Sequence, residues 1–378
     1  MSTSSPSPLA AATKVEGART GTLHEDEVIR NFGSPAEEYV AASEGVAVFD
    51  GSHRTRLRIR GRAPGQMLDG ILTGTLPVAP APEPAGDEGR PGEVLHGRAT
   101  YHSVLTAKGK MVSDLWTWSL GADEGEDGFL LDVPGAGREG LLRHFGTFLP
   151  PRMAGVEDVS ADTAMVWVTG PEAAALLSRT ALGLRVEADA LEALEEGEFR
   201  AVGADASEAL LVTRTAQVWP TAFSVLGPRD AVGALWDALV SGGARPAGAG
   251  VWETLRVEAG RPVYGADMDE ATIPVEAGIH DRAIDYQKGC YTGQEVIVRI
   301  RDRGRVNRSL TLVHLGGLPT PAAGTELFDP QWDRPERPAA VVTSAVQSPR
   351  FGETVALAYV RRDADPARLV PERPDTGD

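Results

Sequence analysis

KGCYTGQE (288–295) is the densest run of chemistry in the chain, set in a longer segment, 252–301, that holds LRVEAG (255–260), YGADMDE (264–270) and IPVEAGI (273–279). Thr292 and Glu295 have the spacing of a capping box, which predicts a helix beginning there with Glu295 at its third position. Cys290 then lies just before a helix N-terminus, where partial positive charge lowers a thiol pKa, and Lys288 adds a cation nearby. Gly289 and Gly293 permit positive φ or a close backbone approach to a ligand. A plainer reading stands beside this one. A lone intracellular cysteine also serves as an inert, buried small hydrophobe, with Glu295 only a cap and Tyr291 only core. Spacing alone leaves both open.

Outward from this run, the chain alternates short strands and helices. Leu57 and Ile59 alternate with arginines at period two, as in a half-buried strand. Met67, Leu68, Ile71 and Leu72 follow at helical spacing over 64–76. Residues 165–168 form a short apolar strand, and a helix carrying Ala174, Leu176 and Leu177 follows Gly170-Pro171. Strands at 210–212 and 223–226 and a helix over 231–239 complete a pattern of α+β class. Beyond residue 304 the character changes: 309–314, 339–346 and 354–360 are β-rich runs separated by turn residues, the signature of a small all-β domain. Residues 1–22 read as a disordered leader, and 77–93, rich in Pro, Gly and acid, as a solvated insertion.

The whole chain has 378 residues, enough for two or three domains. Its formal net charge of −17 argues against unspecific nucleic-acid binding, which needs basic surface. One cysteine leaves no intramolecular disulfide and no CxxC metal site. The seven histidines are scattered without ligand spacing, so no metal is expected. No secretory signal and no run of membrane-span length is read, so a cytoplasmic location without membrane contact is the expectation.

The three runs at 255–279 resemble the corresponding stretch of the aminomethyltransferase, or glycine-cleavage T protein, family. KGCYTGQE itself resembles the signature of the YgfZ branch of that family. Weaker likenesses occur in the right order along the chain: GVAVFDGS (45–52), YHSVLTAKGKMVSDL (101–115) and VTSAVQSPRFGETVALAYVRR (342–362). The resemblance implies an α+β ring of two discontinuous domains plus a C-terminal β-barrel around a folate site. The expected division is 23–57 with 160–250, then 58–159 with 251–303, then 304–365, with a tail over 366–378. It further implies tetrahydrofolate, or a one-carbon derivative, as ligand. Its cellular role would be support for assembly or repair of iron–sulfur enzymes, with their client or assembly proteins as partners. The alternative is a folate-dependent aminomethyltransferase or demethylase, so enzymatic turnover stays open.

Departures from the family pattern bear on that choice. T proteins carry a glutamate after an RTGYTG-like run, whereas RTAQVWP (214–220) has none. Their acidic pair reads Ser113-Asp114 here, and an expected Asn-Asp is Gly74-Thr75. Such losses remove much of the T-protein chemistry. Asp114 is a candidate contact to the N5 region of tetrahydrofolate, or an exposed strand-end acid. Glu276 is a pterin ligand or a helix cap. Lys288, Tyr291, Gln294 and Glu295 join the candidate folate site beside Cys290, the functional thiol. Arg299, in a basic run through Arg308, is a seat for the folate glutamate tail or a solvated face. Residues 54–62 offer a second basic face.

Overall fold

The computed structural model describes residues 17–24, 26–82, 94–123, 126–203 and 205–373. Two sheets face each other across the middle of the molecule. One has five antiparallel strands in the order Gly155–Asp158, Thr55–Arg60, Glu126–Val133, Met111–Asp123, Thr100–Leu105. The other has eight, built round the central strands Ala47–Asp50, Thr163–Thr169, Ala222–Pro228 and Leu211–Thr215. Its far edge takes Val94–Arg98 and Ala81–Pro82 from the middle of the chain.

The strand periodicity explains the layering. On Thr163–Thr169 every residue is buried, and the side chains divide by alternation. Ala164, Val166 and Val168 pack outward under helices Ala173–Thr180 and Arg229–Ser241, while Met165 and Trp167 point to the middle. The other sheet mirrors this. Leu57, Ile59, Leu115 and Leu131 pack under helix Gly135–Phe148, and Trp116 and Trp118 face inward. Helices thus cover both outer faces, and an aromatic core fills the space between the sheets. Within that core Trp167 and Trp252 stack at 4.3 Å between centroids and 11° between planes.

The last unit is a curled, four-stranded antiparallel half-barrel of Arg308–His314, Glu353–Arg361, Ala340–Ser348 and Glu326–Leu327 round its own core. It closes on helix Ala249–Glu258 through Val257, Val355 and Leu357.

Three local expectations need correction. The leader does not run to residue 22, because Arg19–Leu23 is a strand paired with Asp26–Asn31; residues 1–16 lie outside the described residues, as do 83–93 of the insertion. The helix expected over 64–76 stops at Asp69, since the following backbone turns to bridge Leu72 to Val104. The octapeptide helix, Gln294–Arg303, has no capping box: its N-cap is Gly293 at φ 83°, with no side-chain cap bond. Tertiary packing decides this. A Cβ at Gly293 would lie 2.6 Å from the Thr106 carbonyl oxygen, so the chain enters the helix through a left-handed glycine pressed on that turn.

Candidate functional site: buried carboxylates between the sheets

Strand Met111–Asp123 places Asp114, Trp116 and Trp118 on one face by period two, all turned toward the eight-stranded sheet. Register puts Ser103 opposite Asp114 and Tyr101 opposite Trp116, so Tyr101 is the diagonal neighbour of Asp114. Its hydroxyl donates to Asp114 Oδ2 at 2.5 Å. The other oxygen, Oδ1, is buried and has no partner. Burial raises the Asp114 pKa, with Arg54 and the Tyr101 bond acting against the rise. The acid is therefore buried core polarity, not an exposed strand end.

A second carboxylate stands beside it. Asp132 lies opposite Trp116 in the next strand and accepts from Arg54 Nε at 2.6 Å, while its own Oδ1 also lacks a partner. Burial opposes the charge on Arg54, but Asp132 and Asp114 outweigh it and raise its pKa. On the far side Arg282 lies 5.0 Å over the Tyr101 ring and pairs with Glu196, Nε to Oε2 at 3.0 Å. Sequence reading missed Tyr101, Asp132 and Arg54. Arg54 and Arg56, read as part of a basic face, are in fact turned inward, and Arg56 spends its guanidinium on Ser52, Arg54, Ser160 and Thr163. Alternation could not have shown this: strand Thr55–Arg60 has arginines at 56, 58 and 60 around core residues 57 and 59, yet only Arg56 of the three is buried.

A narrow cavity of about 10 Å³, room for roughly one water, lies between the sheets, walled by Trp116, Trp118 and Trp167, with Asp132, Arg214 and Gln217 on its polar side. Arg214 and Thr215 are shared with a second pocket of about 390 Å³ at the surface, which adds Trp219, Pro220, Arg261 and Arg350. The two pockets adjoin through those shared residues.

The octapeptide lies elsewhere on the same hairpin. Its helix packs on the turn joining Thr100–Leu105 to Met111–Asp123, with Gly109 against Val296. Cys290 is exposed and unbonded to another cysteine. Lys288 is nearly buried, and its ammonium donates to the carbonyls of Asp69, Leu72 and Gly74 at 2.9, 2.9 and 3.0 Å and pairs with Asp69 Oδ1 at 2.9 Å. That ammonium is spent on holding the chain after helix Pro64–Asp69. Tyr291 is buried with its hydroxyl unpartnered, and its pKa is pushed up to about 12, first by burial and then by Tyr286. Gln294 bonds back to the Gly289 carbonyl at 3.4 Å, while Glu295 and Arg299 are exposed and line an open surface hollow. Glu276 caps no helix; it takes Arg308 Nε at 2.9 Å and ties the 273–279 turn to the half-barrel. Asp114 alone of the expected residues belongs to the carboxylate cluster between the sheets.

Two facing sheets with helices outside, a half-barrel closing one end and carboxylates in the middle define an aminomethyltransferase-like fold. The crystal structure of glycine cleavage system aminomethyltransferase T from Bartonella henselae shares it, with a TM-score of 0.75 at 19% identity, over 94% of this chain and 89% of that one. Residues 89–288 match the family model described as the GCVT N-terminal domain. The aminomethyltransferase of Rubrobacter xylanophilus is 32% identical, covering 96% of this chain and 92% of its own length. That of Corynebacterium jeikeium is 30% identical over 88% and 83%. The chain belongs to the GCVT aminomethyltransferase family.

Proposed function

We propose that this chain binds a reduced folate, with the pterin held between the sheets near Asp114 and Asp132, and handles a one-carbon unit there. The observation carrying this reading is the pair of buried carboxylate oxygens without partners beside a tryptophan-walled gap, which would have to widen to admit a ring. An unpaired buried acceptor costs stability unless a ligand donor meets it, and a reduced pterin supplies N–H donors and a flat face for aromatic walls. These residues fit that group. Tetrahydrofolate would supply the nitrogen that carries the one-carbon unit. Asp114 would accept a ring N–H and favour a protonated amine, Tyr101 would fix the carboxylate, and the tryptophans would exclude water.

The test is Asp114→Asn. The amide oxygen still accepts the Tyr101 bond, so the fold should survive. Losing a charge-assisted bond of about 1.5–3 kcal/mol should weaken tetrahydrofolate binding about 10- to 100-fold in calorimetry. Unchanged affinity would remove Asp114 from the site, and no binding by the wild type would end the folate reading.

Two cellular roles fit this site. Folate-dependent aminomethyl transfer is supported by relatives named aminomethyltransferase. A role supporting iron–sulfur enzymes is favoured by a different observation, the exposed Cys290 in its YgfZ-like octapeptide, together with Pro220 where T proteins carry a glutamate. Turnover of aminomethyl substrate with glycine-cleavage partners would decide for the first. For the second, Cys290→Ser should change stability by less than about 0.5 kcal/mol, since the residue is exposed. It should nevertheless fail to restore iron–sulfur enzyme activity in a strain lacking this protein, because a hydroxyl lacks the nucleophilicity and metal affinity of sulfur. Full rescue by the serine variant would exclude a role for the thiol.

A further inference from the structure

A separate pocket of about 380 Å³ lies where the end of helix Gln294–Arg303 meets the half-barrel, and it shares no residue with the site between the sheets. Three cations reach it from three segments: Arg301 from the helix, Arg305 from the turn that follows, and Arg362 just after strand Glu353–Arg361. His280 and Ser309 also line it, and among the described residues no carboxylate does. Helix geometry explains the separation from the central site. Residues two apart on a helix point nearly opposite ways, so His280 turns here while Arg282 turns to Glu196 and Tyr101. These groups are largely unspent. Among the described residues Arg305 has no side-chain partner. Arg301 and Arg362 bond only the next acid in sequence, Asp302 and Asp363, through Nε at 2.6 and 3.2 Å, and such exposed pairs are worth little. Arg308, by contrast, is tied to Glu276 and stays out of the pocket. His280 Nε2 reaches Asp281 at 3.4 Å, while its Nδ1 is buried without a partner. The result is a local positive well in a chain whose net charge is −17.

We infer that this pocket binds the phosphate group of a small phosphate monoester, held by Arg301, Arg305 and Arg362. Three guanidinium forks from separate segments match the three free oxygens of a tetrahedral group better than the two of a planar carboxylate. A phosphate that keeps one proton has a donor for His280 Nδ1, and Ser309 adds a hydroxyl. The volume leaves room beside the phosphate for a sugar-sized skeleton against Val275, Ile300 and Val306. The strongly acidic chain disfavours an extended polyanion such as a nucleic-acid strand. The inference does not rest on the folate reading.

Calorimetry on the full chain tests it, with ribose 5-phosphate, inorganic phosphate and ribose titrated at constant ionic strength into wild type, Arg305→Gln and Arg362→Gln. Both arginines are exposed, so the variants should fold, and thermal unfolding checks this. Ribose 5-phosphate should bind wild type and weaken about 10-fold or more in each variant, as for one lost charge-assisted contact, while ribose gives no heat. Tighter binding of the ester than of inorganic phosphate shows that the skeleton is read, and the reverse order makes free phosphate the ligand of the same site. Tetrahydrofolate should bind wild type and variants alike. No heat from either phosphate probe, or equal phosphate affinity in all three proteins, overturns the inference and leaves the folate reading untouched. An equal loss of tetrahydrofolate affinity in the variants also overturns it, because the pocket would then be part of the folate site. A single-stranded oligonucleotide that binds more tightly than ribose 5-phosphate and is lost in the same variants would replace the small ligand with nucleic acid.

Discussion

Replacing Arg256 with methionine should cost about 3–5 kcal/mol of stability, because it leaves buried carboxylates without their cation. Arg256 is 1% exposed and joins three parts of the fold. Its Nε donates to Glu253 at 2.8 Å within helix Ala249–Glu258, its Nη1 to Asp267 at 2.6 Å and to the Arg261 carbonyl at 3.0 Å, and its Nη2 to Ser344 of the half-barrel at 2.6 Å. Asp267 is itself fully buried and holds Thr343, Ser344 and the Val263 amide. Methionine fills much of the volume, so the loss reads the charge and its bonds, not a cavity. Urea unfolding measures it, and the double variant with Asp267→Asn should recover part of the loss. A change under about 1 kcal/mol would show that the remaining donors satisfy Asp267 unaided.

The second large effect is acid sensitivity through His102. This ring is fully buried; its Nδ1 accepts from the Gly74 amide at 3.1 Å, so the proton sits on Nε2, which has no partner. Burial, then the nearby Lys288, lowers its pKa from 6.5 to about 3. The folded state therefore holds this histidine neutral where the unfolded chain would charge it. Stability is full above the unfolded value and is lost as pH falls through the window from 6.5 toward 3. One proton taken up on unfolding corresponds to about 1.4 kcal/mol per pH unit, so cooling of stability between pH 6.5 and 4.5 should reach about 2–3 kcal/mol from this residue alone. His53, also lowered to about 3 by burial and then by Arg54 and Arg56, acts in the same direction. Glu253, held down at about 2 because Arg256 and His24 outweigh the cost of its burial, adds its loss only below its ordinary value of 4.5. Unfolding free energies measured from pH 7 to 4.5 for wild type and His102→Gln should differ in slope by about one proton. Identical slopes would mean that His102 is charged in the folded chain.

The α+β class, the main strands and the all-β C-terminus were legible in the sequence because alternation and β-branched runs are local properties. Thr163–Thr169, Ala222–Pro228 and Glu353–Arg361 fall where the apolar runs lie. The family likeness was equally local, carried by short runs such as LRVEAG and YGADMDE. The octapeptide drew attention by its composition, yet composition does not say which groups are spent. Lys288 reads as a free cation in the chain and proves to be bound to three carbonyls brought from residues 69–74, more than two hundred positions away. The same limit applies to the helix start: Thr292 and Glu295 satisfy the capping spacing, but contact with the Thr106 turn selects Gly293.

What tertiary structure alone decided is the site between the sheets. Asp114 was visible as one acid in a block, but its partners Tyr101, Arg54 and Asp132 are set by strand register, and their burial by the second sheet closing over them. Hydrophobic periodicity determines which face of each strand turns inward. Which polar groups then meet in that interior, and which are left without a partner, depends on contacts between distant segments, because a buried donor or acceptor takes its meaning from its neighbours in space.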